Sequence, residues 1–176
     1  MIDPLIQRAK LSVDRQDSDW AFSQLVSAHQ QAVRAFLRRL CARPEDADDL
    51  AQEAFVTAWA NLHKLRDGVA FRTFVCGIAY RKALNDRRHV QRSMARDQAW
   101  FDLGSRSQTP TLEAKLTVET ALLSLPLDQR AAISLCVAAD YSHSEAAEIL
   151  GLPLGTIKSH IQKGREKLSA LLGLGT

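Results

Sequence analysis

Between Ser142 and Leu168 the residue order leaves the backbone few alternatives. Ser142 with Glu145 three positions later is a capping-box pair, and Ala146, Ala147, Ile149 and Leu150 give the helix that follows one apolar side. Gly151 stops that helix, Leu152 and Pro153 turn the chain, and Gly155-Thr156 opens a second helix. There Ile157, Ile161, Gly164 and Leu168 recur at helical spacing toward a core, which leaves Lys158, Ser159, Gln162 and Lys163 outside. Two short helices around a tight turn make a helix-turn-helix. Hydrogen-bonding and cationic side chains near the start of its second helix suit base edges and phosphates. The bland alternative is a helical hairpin whose polar face is only solvated.

The rest of the chain keeps the helical period, and no run alternates as a strand would. A first long helix is expected after Asp17-Ser18-Asp19, with Phe22, Leu25, Val26, His29, Val33, Phe36, Leu37 and Leu40 inward. His29 on that face reads as a half-buried core histidine rather than a catalytic one. Arg43-Pro44 breaks the pattern, and a second helix places Ala47, Leu50, Ala51, Ala54, Phe55, Ala58, Trp59 and Leu62 inward. A loop from Lys64 to Val69, containing Asp67-Gly68, leads into a third helix with Phe71, Phe74, Val75, Ile78 and Ala79. From Met94 to Thr111 the apolar period fades, interrupted by Trp100 and Phe101, and Gly104 to Pro110 has the composition of a flexible linker. Beyond it, Leu112, Leu116, Val118, Leu122 and Leu123 mark one helix, Pro126 starts another with Ala131, Ile133, Leu135, Cys136 and Val137, and the helix-turn-helix completes a four-helix unit. The expectation is an all-α protein of two small domains: an N-terminal extension (1–19), a first domain (20–93), a linker (94–111) and a second domain (112–172).

A chain of 176 residues with 46% hydrophobic content can bury one moderate core or two small ones. Its net charge of +3 says little, whereas the distribution of charge says more. Acids gather at Glu45, Asp46, Asp48, Asp49 and Glu53, and a basic stretch holds Arg81, Lys82, Arg87, Arg88, Arg92 and Arg96. Asp46, Asp49 and Glu53 share the face opposite Leu50, Ala54 and Phe55, with Gln52 at its border, so their carboxylates are available together to a basic partner. For Glu45 and Asp46, complementing the helix dipole is a sufficient alternative. Arg81, Asn85, Arg88 and Arg92 form a stripe that can follow a phosphate backbone. Cys41, Cys76 and Cys136 are far apart among apolar residues and read as buried thiols. Neither they nor the five histidines supply a local ligand group, so no metal and no cofactor is expected. With no leader pattern and no stretch long enough to span a bilayer, the expected location is the cytoplasm, without membrane insertion.

Three segments carry a resemblance. They are Asp46 to Trp59 (DADDLAQEAFVTAW), Phe71 to Ala79 (FRTFVCGIA), and Leu125 to Arg130 (LPLDQR) followed by Gly155 to Ser159 (GTIKS). In this order and spacing the chain resembles the two-domain extracytoplasmic-function sigma factors of bacterial RNA polymerase, over about residues 20 to 172. The resemblance implies that Asp46, Asp49, Gln52 and Glu53 bind core RNA polymerase. It also implies that Arg81, Asn85, Arg88 and Arg92 serve the −10 promoter element, with the loop Lys64 to Phe71 capturing the opened strand, and that Thr156, Lys158, Ser159, Gln162 and Lys163 read the −35 element. An anti-sigma factor that holds the protein inactive is implied as a further partner beside promoter DNA and the polymerase. The chain departs from the family's pattern at Phe74, where tryptophan is usual, at Arg81, where asparagine is usual, and at His160 and Lys163, where many members carry arginines. Two rivals stand outside the family. One is a free-standing repressor or activator whose N-terminal domain senses or dimerises, and the other is a metal-dependent nuclease built on the carboxylates.

Overall fold

A computed structural model describes residues 3–101 and 118–173, without the side chains of residues 93–101. The expected linker segment Gly104 to Pro110, with Leu112 and Leu116, lies outside the described residues, as do the side chains of Trp100 and Phe101. Every regular element among the described residues is helical: α1 (Pro4–Leu11), α2 (Arg15–Leu40), α3 (Pro44–Ala60), a 3-10 turn (Leu62–Lys64), α4 (Phe71–Phe101), α5 (Val118–Leu123), α6 (Leu127–Cys136), α7 (His143–Leu150) and α8 (Leu154–Leu172).

Two starts differ from the sequence expectation, and side-chain caps explain both. The Asp3 carboxylate accepts the Leu5 N–H at 2.9 Å and Pro4 occupies the first turn, so the N-terminal segment folds as a helix that buries Ile6 and Ala9. Asp14 accepts the Gln16 N–H at 2.9 Å, and α2 therefore begins at Arg15 rather than after Asp19. At the other end of the domain, α4 continues past Met94 to Phe101.

The first domain packs α2, α3 and α4 around Leu25, Val33, Phe36, Leu37, Ala51, Ala54, Phe71, Val75 and Ala79. A large apolar side chain fully withdrawn from water contributes roughly 1.5–3 kcal/mol. Phe71 is the hub: its ring centre lies 5.8 Å from Phe22, 6.5 Å from Phe55 and 5.6 Å from His29. His29 is half-buried, and burial lowers its pKa, which favours the neutral ring expected of a core histidine. Trp59, expected inward, sits on the rim with its ring 4.6 Å from Phe22. Val137, also expected inward, is exposed because α6 has already ended at Cys136. Cys76 is buried, but Cys41 and Cys136 are only half-buried; burial raises all three thiols, Cys41 to about 11.

In the second domain Ile157 and Ile161 of α8 pack with Ala131 and Leu135 of α6. Gly164 brings α8 so close to α6 that a Cβ there would run into the Ile133 side chain. The two domains then dock on each other, α6 and α5 against α2 and α7 against α4. Across that boundary Tyr80 Oη donates to Asp128 Oδ1 at 2.6 Å, Arg72 Nη2 to the Ala139 carbonyl at 2.8 Å, and Arg130 Nη1 to the Leu40 carbonyl at 2.6 Å. The Arg72 guanidinium also lies 4.3 Å from the Tyr141 ring centre, and Tyr141 Oη donates to Cys76 Sγ at 3.6 Å.

The approach of α4 to α7 at Gly77 tests this docking. A Cβ on Gly77 would stand 3.4 Å from the Ile149 carbonyl oxygen of α7 and 3.7 Å from the Arg81 guanidinium of its own helix. The branched side chain of Gly77→Leu will therefore push α7 away while leaving both cores filled. X-ray scattering of the variant should give a larger radius of gyration at unchanged helix content by circular dichroism; an unchanged radius would show that the domains are not held through this face.

Candidate functional site

The helix-turn-helix is built as its sequence dictates. Ser142 Oγ accepts the Glu145 N–H at 3.2 Å while Glu145 Oε2 accepts the Ser142 N–H at 2.8 Å and its hydroxyl at 2.7 Å. Gly151 closes α7 at φ +66, and α8 starts at Leu154, one residue before Gly155. Burial of Ile157, Ile161 and Gly164 turns Lys158, Gln162 and Lys163 to solvent, with Thr156 and Ser159 half-buried at the edge. Gln162 Nε2 donates to Glu166 Oε1 at 3.1 Å, which leaves the amide oxygen and one N–H for an outside partner. Arg165, on the same helix, is exposed as well and was not singled out from the sequence.

On α3 the four candidate residues do not act alike. Asp46 is held by Arg43 in two bonds of 2.6 and 2.9 Å, and the guanidinium lowers its carboxyl pKa. Glu53 accepts Lys82 Nζ of α4 at 3.0 Å. Asp49 makes no ion pair or hydrogen bond with another described residue. A groove joins Asp49, Gln52 and Glu53 to Val56, Thr57 and Lys82, and Val56 is 69% exposed. Val56 and Lys82 were missed. The stripe 49, 52, 53, 56 carries a readable helical spacing for the former, whereas the latter arrives from 29 residues away and leaves no local signal.

Arg81, Asn85, Arg88 and Arg92 are all exposed along α4, beyond the buried Val75, Ala79 and Ala83. The 65–70 loop lies at the start of that helix. Its turn is closed by the Val69 N–H to the Arg66 carbonyl at 3.2 Å with Gly68 at φ +83. The loop borders a cleft of about 240 Å³ shared with α1 and His29. Arg66 Nη2 reaches Glu148 Oε1 of α7 at 2.7 Å, so one side of the loop is engaged by the helix-turn-helix domain. Among the described residues no three or more His, Cys, Asp and Glu side chains group to hold a metal, and no helix is long and apolar enough to cross a membrane.

Comparison with known proteins gives concordant matches. The family described as Sigma-70 region 2 matches residues 25–93, and that described as Sigma-70, region 4 matches residues 115–168. The chain is 35% identical over 144 residues to the ECF RNA polymerase sigma factor EcfG of Rhodopseudomonas palustris, covering 80% of this chain and 79% of the relative. It is 30% identical over 156 residues to the ECF RNA polymerase sigma factor SigM of Mycobacterium tuberculosis, covering 88% and 78%. Among solved structures, the sigma factor RpoE of Bartonella quintana in complex with the anti-sigma factor NepR superposes with a TM-score of 0.73 at 29% identity, covering 88% of this chain and 98% of that one. CnrH in complex with the cytosolic domain of CnrY superposes with a TM-score of 0.69 at 28% identity, covering 98% and 97%.

The capping box makes a pH-dependent contribution. Its bonds from Ser142 lower the Glu145 carboxyl below its ordinary 4.5, so the stabilisation is fully present above pH 4.5 and is lost as pH falls through the lowered value. Ser142→Ala should cost about 1 kcal/mol in urea unfolding at neutral pH. The gap from wild type should shrink once the carboxyl is protonated; a gap constant down to strongly acidic pH would mean that the box contributes only through the hydroxyl.

Proposed function

The chain belongs to the ECF RNA polymerase sigma factors, and from that membership we propose a division of its surface into three working parts. The α3 groove of Asp49, Gln52, Glu53 and Val56 meets a basic and apolar surface of core RNA polymerase, with Asp46 at its edge. The α4 stripe of Arg81, Asn85, Arg88 and Arg92, with the 64–71 loop, captures the opened −10 strand. The α8 face of Thr156, Lys158, Ser159, Gln162 and Lys163 reads the −35 duplex. Domain limits at 20–93 and 112–172, with a connection at 94–111, are part of the same reading. Phosphodiester chemistry belongs to the polymerase; this chain contributes binding energy that favours the melted promoter, and it acts in the cytoplasm where the polymerase works. The observation that carries the reading is an exposed acidic and apolar groove on the same chain as two separate DNA-compatible faces. A free-standing repressor or activator is not favoured, because a sensing or dimerisation module is not what occupies the N-terminal half.

The docked domains fit control by an anti-sigma factor such as the one bound to the Bartonella quintana relative. Some 25 base pairs between the two promoter elements span about 85 Å of duplex, whereas a compact chain of this length has a radius of gyration of about 16 Å. The two elements therefore cannot be engaged together until the domains part. An anti-sigma factor that binds the docked form holds the resting state by mass action.

Reversal of two carboxylates, Asp49→Lys with Glu53→Lys, should weaken core polymerase binding about tenfold or more at unchanged helix content, since both sites face solvent. Equal affinity in a core-binding titration would remove α3 from the polymerase interface.

Replacement of Gln162 by Ala should alter preference among −35 sequences by about 1 to 3 kcal/mol in promoter-specific transcription with purified core polymerase. Arg88→Ala should instead reduce open-complex formation and lower the salt slope by about one ion, with −35 preference unchanged. If Arg88→Ala shifts −35 preference and Gln162→Ala does not, the assignment of the two faces is wrong.

A further inference from the structure

The region 2 match begins at residue 25, so α1 lies outside it, yet α1 forms one wall of the cleft beside the 65–70 loop. That wall is fixed in place. Ser18 Oγ donates to the Ala9 carbonyl at 2.7 Å, Arg8 pairs with Asp17, and the Arg8 guanidinium lies 4.7 Å from the Trp20 ring centre. Ile6 and Ala9 are buried against α2. With the helix so held, Lys10 turns to the loop. Its side chain is only 19% exposed, Nζ donates to the Leu65 carbonyl at 2.9 Å, and Asp67 Oδ1 stands 4.0 Å away.

Ordering a lysine side chain costs rotamer entropy, and the exposed Arg66 to Gly68 turn would hydrate without it. What Lys10 adds is a fixed loop shape. It anchors the loop at Leu65, where the backbone leaves the 3-10 turn, and stands 4.0 Å from the exposed Asp67 carboxylate at the tip, while Gly68 supplies the one conformation in the turn that a side chain would strain. With Ile6 and Phe71 buried at its floor, the cleft presents the half-buried His29 and Val69 to an unstacked base and the exposed Arg66 to the strand's phosphates, with Asp3 and Asp67 on the same rim.

We infer that Lys10 of α1 is a positioning residue for promoter-strand capture: by holding the Leu65 carbonyl at the base of the loop, it sets the shape of the cleft and hence the −10 sequence preference. The inference rests on the reading of the 64–71 loop as the strand-capture element. Its consequence is that the N-terminal helix, outside the matched region, is part of the specificity apparatus.

The test uses the full chain with core polymerase on two promoter pools, one randomised at the −10 element and one at the −35 element. Lys10→Met should flatten the −10 ranking about threefold to tenfold, leave the −35 ranking and core affinity within about twofold, and be largely relieved in Lys10→Arg, which keeps charge and donors. A parallel variant in the loop itself, Val69→Ala, separates the two claims. If Val69→Ala changes the −10 ranking and Lys10→Met does not, the role of α1 is refuted while the loop reading stands. If neither changes it, the loop reading falls and takes this inference with it. A loss of output by one common factor over all −10 sequences, or a flattening that Lys10→Arg shares along with reduced helix content, overturns the proposal by reducing Lys10 to a stability residue.

Discussion

The buried guanidinium of Arg130 is the interaction on which the arrangement of the two domains depends. It is 6% exposed, and its three hydrogen bonds all end on carbonyls at or just beyond helix C-termini: Leu123 at the end of α5, Leu125 just after it, and Leu40 at the end of α2. Such carbonyls have no partner within their own helix and carry the negative end of its dipole, so one cation serves three needs at once. Burial pulls the Arg130 pKa down, with Arg87 adding to the effect, but a guanidinium remains charged across the accessible pH range. A charge this deep costs several kcal/mol to desolvate, and charge-assisted bonds offset that only while all are made. Arg130 thereby couples the α5–α6 corner of one domain to the long axis helix of the other.

Docking constrains the proposed functional faces unequally. The α3 groove and the polar face of α8 remain exposed, whereas the 65–70 loop is tied to α7 through Arg66 and Glu148 and the start of α4 through Arg72. On the proposed reading, α3 is open to a polymerase surface in the docked form, whereas the loop shares Arg66 with α7 through a solvent-exposed and therefore weak ion pair.

Legibility in the sequence tracked the distance over which each interaction acts. The capping box at Ser142 and Glu145, the stop at Gly151 and the inward Ile157, Ile161 and Gly164 are consequences of neighbours within a turn or two, and they were readable. The apolar faces of α2, α3 and α4 were readable for the same reason, apart from Trp59, whose position at the helix end left it on the rim. Helix α1 was not, since eight residues with two buried side chains carry little period and its stability comes from Asp3 and from contacts to Ser18 and Asp17. In the same way Lys82 at Glu53, Lys10 at Leu65 and Arg130 at Leu40 join residues 29, 55 and 90 positions apart, and no local pattern announces them. The acidic face of α3 was legible as a face, but its partition into a neutralised Asp46, a shared Glu53 and an unpaired Asp49 required the tertiary structure.

The chemistry of the domain boundary suits a contact that must be broken. Arg66, Glu148, Arg72, Tyr80 and Asp128 are side chains that water can satisfy once exposed, so opening exchanges protein bonds for hydration at a net cost of about 1.5–3 kcal/mol for each charge-assisted bond and less for the exposed Arg66–Glu148 pair. A boundary made only of the buried Ala132, Leu135 and Ile149 would instead leave apolar surface to aggregate. The phenol of Tyr80 stays protonated, because burial and then the Asp128 carboxylate both raise its pKa, so its bond to Asp128 does not depend on pH near neutrality. Tyr141, raised by burial and by Cys76 beside it, is likewise a neutral donor. The docked form is therefore a boundary in which a continuous apolar cluster is joined by hydrogen bonds whose tyrosine donors stay protonated near neutrality.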